Sequence, residues 1–166
     1  MPPLKEVTIY TDGACLGNPG PGGYAAVLLY GGRRKELSGG FRLTTNNRME
    51  LTAAIQGLAA LKQPCRVRLF TDSQYLANSL NQGWARRWRA RNWHRNKKDK
   101  AENPDLWERL IDLIDKHRVE VIWIRGHDGN PENERCDALA VNAARQPGLP
   151  PDPAYEDARS LNSSGK

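Results

Sequence analysis

From Glu6 to Asp12 the chain alternates, with Val7, Ile9 and Thr11 on one side of an extended backbone and Thr8, Tyr10 and Asp12 on the other. Period two marks a half-buried strand. The stretch "GACLGNPGPGG" that follows reads as a turn or loop, punctuated by glycine and proline. "YAAVLLY" and "KELSGGFRL", divided by "GGRR", predict two further strands joined as a hairpin. Between Asn46 and Leu61 the period becomes helical, with Leu51, Ile55, Leu58 and Leu61 on one face. Thr44, Thr45 or the two Asn residues offer that helix a cap, and Pro64 marks its end. "RVRLFTD" is a fourth strand and Gln74 to about Gln82 a second helix. Asn103-Pro104 has the form of an N-cap with proline in the first turn, opening a helix with Leu106, Trp107, Leu110, Ile111 and Ile114 on its apolar face. "VEVIWI" is a fifth strand, "GHDGN" a loop, and Asn130-Pro131 opens a last helix bearing Cys136, Leu139, Ala140 and Ala143.

This order predicts an α/β fold. Three strands in antiparallel connection, then two parallel ones each preceded by a helical crossover, make a mixed five-stranded sheet flanked by helices. At 166 residues the chain suits one domain with a core of its own. From Gln146 onward, "QPGLPPDPAYEDARSLNSSGK" is rich in proline and poor in large apolar residues, so residues 146–166 are expected to form a disordered tail behind a domain spanning 1–145. No run approaches the ~20 apolar residues of a membrane span, and "MPPLKEV" carries no apolar signal core. A cytoplasmic protein with no membrane partner is the expectation. Cys15, Cys65 and Cys136 are odd in number and far apart, which argues against a disulfide framework or zinc site.

Charge sharpens the picture once it is located. The net charge is +6, yet "WARRWRARNWHRNKKDK" (Trp84–Lys100) holds eight basic residues and one acidic one, leaving the remainder close to neutral. A charge run is commonly a solvated helical face. Here Trp84, Trp88 and Trp93 interleave with the basic groups, which suits a polyanion with stackable rings. Trp84 and Trp88, spaced i, i+4, serve equally well as core anchors of a short helix.

Two strands end on the same dipeptide: "IYTDG" and "LFTDS". Asp12 followed by glycine has a turn explanation of its own. Parallel pairing of the two strands, however, would set Asp12 and Asp72 side by side at their carboxyl ends, where α/β sheets place their sites. Glu50 sits early in the first helix, and Asp137 lies within the last. Four carboxylates in one cleft would raise one another's pKa unless a cation were present. Oxygen donors without a His or Cys cluster point to Mg²⁺, or Mn²⁺ in its place. Two such ions ~4 Å apart could serve a phosphodiester's attacking and leaving oxygens. His127, in a glycine-flanked loop, is placed for proton transfer or product release, while His117 suits its helix's dipole. Glu134, one turn from Asp137, supports the site or simply faces the helix N-terminus.

"YTDGACLGNPGPGG", "TTNNRMEL", "FTDSQY", "QGW", "NPDLWERL" and "GHDGNPENERCD", in this order and spacing from about Glu6 to Arg145, resemble bacterial type 1 ribonuclease H. The resemblance implies a ribonuclease H-like fold and an endoribonuclease, a monomer, that hydrolyses the RNA strand of RNA–DNA hybrids to 5′-phosphate and 3′-hydroxyl ends. It implies that Asp12, Glu50, Asp72 and Asp137 are the metal-binding catalytic carboxylates and that His127 assists turnover. It further implies that Cys15 (through its backbone), Asn18, Asn46 and Gln74 contact the RNA strand. Thr45 and Asn103 would hold a DNA-strand phosphate, Trp84 and Trp88 would line the DNA channel, and residues 84–100 would form the basic protrusion.

Two positions depart from the family pattern. Leu43 stands where related enzymes often carry arginine beside the phosphate pocket, with Arg42 adjacent, and Asp128 follows His127 where a neutral residue is usual. Three other readings compete. A hybrid-binding module without catalysis would bind a polyanion more easily without four carboxylates. A transposase or integrase core lacks the Asn46, Asn47 and Gln74 setting. An actin-like ATPase needs a much longer chain.

Overall fold

The computed structural model describes residues 3–164, with side chains through residue 160. β1 (Lys5–Cys15), β2 (Gly20–Tyr30) and β3 (Arg33–Thr44) form an antiparallel meander. α1 (Asn46–Ala59) leads to β4 (Cys65–Thr71), and α2 (Gln74–Asn81), α3 (Trp84–Ala90) and α4 (Pro104–Asp115) lead to β5 (Arg118–Trp123). α5 (Pro131–Ala144) and α6 (Pro153–Ser164) follow. The sheet runs β3-β2-β1-β4-β5, with β4 parallel to β1 and β5 parallel to β4. The expected mixed sheet is present.

Alternation along the strands sorts the two faces. Val7 and Ile9 of β1 and Val67 and Leu69 of β4 pack with Leu51, Ile55 and Leu58 of α1 and with Leu106, Trp107 and Leu110 of α4. On the opposite face Ala25 and Val27 meet Cys136 and Ala140 of α5, flanked by Tyr10 and Leu139. α1, α2 and α4 thus cover one face, joined by Ala85 of α3, and α5 covers the other, each burying its apolar stripe. Burial of such side chains contributes roughly 1.5–3 kcal/mol apiece.

The structure differs from the sequence expectations in several places. β1 does not stop at Asp12: Gly13, Ala14 and Cys15 continue the ladder opposite Tyr24, Gly23 and Gly22, so the loop shrinks to residues 16–19. Asn103 does not cap α4 with its side chain. It adopts the left-handed conformation (φ 60°) and turns its amide elsewhere. His117 serves β4, its Nδ1 accepting from the Cys65 N–H at 3.0 Å.

The largest difference lies after Gln146, where the sequence predicts disorder. The Arg42 N–H donates to the Pro150 carbonyl (2.8 Å), and Asp152 is buried against Arg48 and Thr44. Glu156 of α6 takes the Arg42 guanidinium in a two-pronged pair. Polar anchoring replaces the apolar burial that the composition lacks. Gly165 and Lys166, also assigned to the tail, lie outside the described residues. Among the described residues no helix is long and apolar enough to cross a membrane.

Candidate active site

β1 and β4 pair in parallel from Lys5–Cys65 to Tyr10–Phe70. Two residues beyond that last pair stand Asp12 and Asp72, which period two places on the face of Tyr10 and Phe70. Thr45 caps α1, its Oγ1 accepting from the Arg48 N–H (3.2 Å), and so fixes the turn that carries Glu50. Asp12 and Glu50 are both buried. One carboxylate oxygen from each of Asp12, Glu50 and Asp72 lies within 4.8 Å of the other two.

Gly13 permits this approach. A Cβ there would stand 2.5 Å from the Glu50 nitrogen and 2.6 Å from the Met49 carbonyl carbon, contacts that no side chain tolerates. Its N–H donates to both Asp12 Oδ1 (2.9 Å) and Glu50 Oε1 (3.0 Å). The "DG" pair is therefore a close packing point inside a strand, not a turn.

Asp72 is held from three sides. Asn133, buried in the first turn of α5, donates its Nδ2–H to Asp72 Oδ2 (3.2 Å), and the Trp123 ring N–H donates to the Asp72 carbonyl (3.1 Å). Gly126 passes so close that a Cβ would lie 2.8 Å from Asp72 Oδ2. Asp137, half-buried on α5, stands outside the group of three, yet its charge acts on both Asp12 and Glu50.

Without a counter-charge the arrangement is costly. Burial first, then the charges of Glu50, Asp72 and Asp137, pushes the Asp12 carboxyl far above the ordinary carboxylate range. Burial and the charge of Asp72 push Glu50 in the same direction. Glu50 Oε2 is buried and has no hydrogen-bond partner among the described residues. An orphaned carboxylate oxygen among mutually repelling carboxylates is what a hard divalent cation satisfies, and the donor set is all oxygen.

The remaining expected residues divide into groups. Asn18 Oδ1 accepts from the Asn46 N–H (3.2 Å), and the half-buried Cys15 thiol faces the carbonyls of Gly20 and Thr44 (3.4 and 3.5 Å). Gln74 begins α2, exposed. Asn103 donates from Nδ2 to the Tyr75 hydroxyl (3.3 Å), which also accepts from the Trp107 ring N–H (2.8 Å). Trp88 packs edge-on against Trp107, their centroids 6.1 Å apart, whereas Trp84 is 39% exposed. Trp88 is thus the core anchor and Trp84 the free ring. His127 is exposed between β5 and α5 with φ 56°, and Asp128 beside it is exposed too. Arg86 and Arg89 of the basic segment pair with Asp115 and Asp112 of α4, while Arg87, Arg91 and Lys97 hold no ion pair among the described residues. Arg42, next to the departing Leu43, is committed to Glu156.

The ribonuclease H family model matches residues 4–145. The chain belongs to the ribonuclease H family. It is 63% identical over 153 residues to ribonuclease H of Syntrophus aciditrophicus, covering 92% of this chain and 88% of that protein. It is 65% identical over 149 residues to ribonuclease H of Desulforamulus reducens, covering 90% and 94%. Among solved structures it is similar to LC9-RNase H1, a type 1 RNase H with the type 2 active-site motif (TM-score 0.78, 34% identity, 87% of this chain and 74% of that one). These relatives bear out the resemblance to bacterial type 1 ribonuclease H. Within that family frame the sequence reading missed Asn133, Arg48, Tyr75 and Asp152. Asn133 lay inside "GHDGNPENERCD", with its own role hidden behind the capping Asn130.

Proposed function

We propose that the chain is a metal-dependent endoribonuclease that hydrolyses the RNA strand of RNA–DNA hybrids at internal positions, leaving 5′-phosphate and 3′-hydroxyl ends. The supporting observation is the juxtaposition of Asp12, Glu50 and Asp72, with Glu50 Oε2 orphaned, in a member of this family. Asp12, Glu50, Asp72 and Asp137 would hold Mg²⁺, with Mn²⁺ able to replace it. When bound, two such ions supply positive charge that acidifies the attacking water and neutralises the leaving oxygen.

The chain's own residues do the rest. The Gly13 N–H and the Asn133 amide orient the carboxylates. His127, on an exposed loop, moves a proton or eases product departure. Asn18, Asn46, Gln74 and the Cys15 backbone face the RNA strand, whose 2′-hydroxyls distinguish it from DNA. Thr45 and Asn103 hold a DNA-strand phosphate, Trp84 and Trp88 line the DNA channel, and the unpaired Arg87, Arg91 and Lys97 of the 84–100 protrusion attract the polyanion. The catalytic domain comprises residues 1–145, acting as a monomer in the cytoplasm.

The test offers labelled RNA–DNA hybrid, duplex RNA, duplex DNA and each single strand, with Mg²⁺ or Mn²⁺. Internal cuts in the RNA of the hybrid alone are expected. A hybrid that shifts on a gel but stays intact would sink the catalytic reading, and cleavage of duplex DNA in preference to hybrid would reassign the substrate.

A further inference from the structure

Arg48, in the first turn of α1, is 4% exposed, and a buried guanidinium must be paired. It has five N–H donors, and each has an acceptor. Nε donates to Asp152 Oδ2 (2.7 Å), and Nη2 to Asp152 Oδ1 (3.1 Å) and Asp105 Oδ2 (2.8 Å). Nη1 donates to Asp105 Oδ1 (3.0 Å) and to Asn103 Oδ1 (3.3 Å). Asp152 is itself 5% exposed and also accepts from Thr44 Oγ1 (2.8 Å). It lies beyond residue 145, where the family match ends.

The two ends of a carboxamide have nearly the same shape but opposite polarity. A guanidinium only donates, so the Arg48 contact dictates that Asn103 turns Oδ1 inward and offers Nδ2 as its donor end. One Nδ2 hydrogen goes to the Tyr75 hydroxyl and the other is unassigned. Nothing else binds Asn103 Oδ1 among the described residues, and the backbone there is left-handed, without a side-chain cap bond. Asp105, the other acid on Arg48, is exposed, so the dry carboxylate that fixes the guanidinium is Asp152.

We propose that Asp152 is a positioning residue for the substrate: through Arg48 it holds the Asn103 amide with its donor end toward a phosphate of the DNA strand. The segment after residue 145 is then part of the binding machinery. This rests on the reading of Asn103 as a phosphate-binding residue.

The test uses hybrids carrying one neutral methylphosphonate, scanned along the DNA strand, on the full chain. For the unaltered protein, one position should raise KM, and Asn103→Ala should erase that sensitivity. Asp152→Asn should raise KM about 3–10-fold, the scale of one ordinary hydrogen bond, with kcat within about twofold. It should also blunt sensitivity at the same phosphate, and it should add nothing in the Asn103→Ala background. A merely structural role would lower the melting temperature and leave the phosphate sensitivity intact, which overturns the proposal, as would independent losses in the double variant. If Asn103→Ala keeps the sensitivity, the reading of Asn103 fails first. Should Asp152→Asn not fold, Asp152→Glu, which keeps the charge but moves the carboxylate oxygens away from Arg48 Nε and Nη2, must show the same phosphate-specific loss or the proposal falls.

Discussion

Tyr10 and Phe70 stack across the parallel β1–β4 pair with ring centroids 4.7 Å apart and planes 11° from parallel. Asp12 and Asp72 are the next residues on that face of each strand. The aromatic pair sets the lateral register, and one further strand period delivers two carboxylates to the same height at the sheet's end. The likeness between "IYTDG" and "LFTDS" is therefore a statement of register. The packing below them holds two like charges at one height, a repulsion that a divalent cation would relieve.

Neutralising either acid separates binding from chemistry. Asp12→Asn and Asp72→Asn should abolish hybrid cleavage while leaving gel-shift affinity for hybrid unchanged or improved, since a negative charge facing a polyanion is gone. Asp12→Asn should also stabilise the metal-free protein, each pKa unit of relieved strain being worth about 1.4 kcal/mol. Near-normal turnover in either variant refutes the site assignment.

The pH dependence of stability follows from the same acids. Asp12 and Glu50 titrate above their ordinary values when folded, so the folded state binds more protons than the unfolded one above about pH 4. Stability of the metal-free protein should fall as pH rises through that window. His117 acts oppositely near neutrality, because burial first and Lys116 second lower its pKa and favour its neutral form. The acid contribution is accordingly read as the difference between melting curves of the unaltered protein and Asp12→Asn. Saturating Mg²⁺ should raise the melting temperature more at about pH 8 than at about pH 5, since cation and proton compete for the same oxygens. An equal rise at both would count against the carboxylate site.

Much of this was legible in the chain. Period-two and helical patterns locate all five strands and the helices that flank them, because each element buries one face. The Thr-Asp repeat pointed to Asp12 and Asp72. The structure brings these two together with Glu50, which the sequence offered only by its place early in the first helix; Asp137 stands outside that group. Glycine was harder. Gly13 and Gly126 look like turn residues in sequence, yet they are places where another segment comes too near for a Cβ. The ordered segment after Gln146 was hidden for a related reason. Its anchor is a buried ion pair between Asp152 and a residue 104 positions earlier, and composition reports only apolar burial. Asn133 was concealed by its spacing, since nothing local announces an amide aimed at Asp72.

Gly13→Ala tests the close approach directly. Overpacking of this kind costs about 1–3 kcal/mol, which for a chain of this size lowers the melting temperature by about 2–4 °C per kcal/mol. Because the added methyl meets the backbone at Glu50, the start of α1 must shift, and Mg²⁺ affinity should fall together with stability. Calorimetric titration and a melting curve on one preparation check both, and an unchanged cation affinity would separate Gly13 from the site.

Asn133→Ala removes the amide that holds Asp72 Oδ2 without touching a carboxylate. Supporting residues of this kind typically contribute 10–100-fold in metal affinity or activity. The Mg²⁺ concentration for half-maximal cleavage should rise by about that factor, with activity largely regained at high Mg²⁺. Failure to recover at any Mg²⁺ concentration would give Asn133 a direct catalytic part.

The basic segment should divide by its ion pairs. Among the described residues Arg91 and Lys97 face solvent without acidic partners, whereas Arg86 is tied to Asp115 of α4 with Nη2 2.6 Å from Oδ1. Each free cation that meets a phosphate releases a counterion, so removing one flattens the plot of log affinity against log salt by about one unit. Arg91→Ala or Lys97→Ala should therefore weaken hybrid binding most at low salt and reduce that slope, leaving kcat at saturation unchanged. Arg86→Ala should alter the slope less, because its charge is already partly neutralised, and should instead loosen α3 from α4. Equal slopes for all three variants would mean that the ion pairs open when hybrid binds, making α4 part of the docking event.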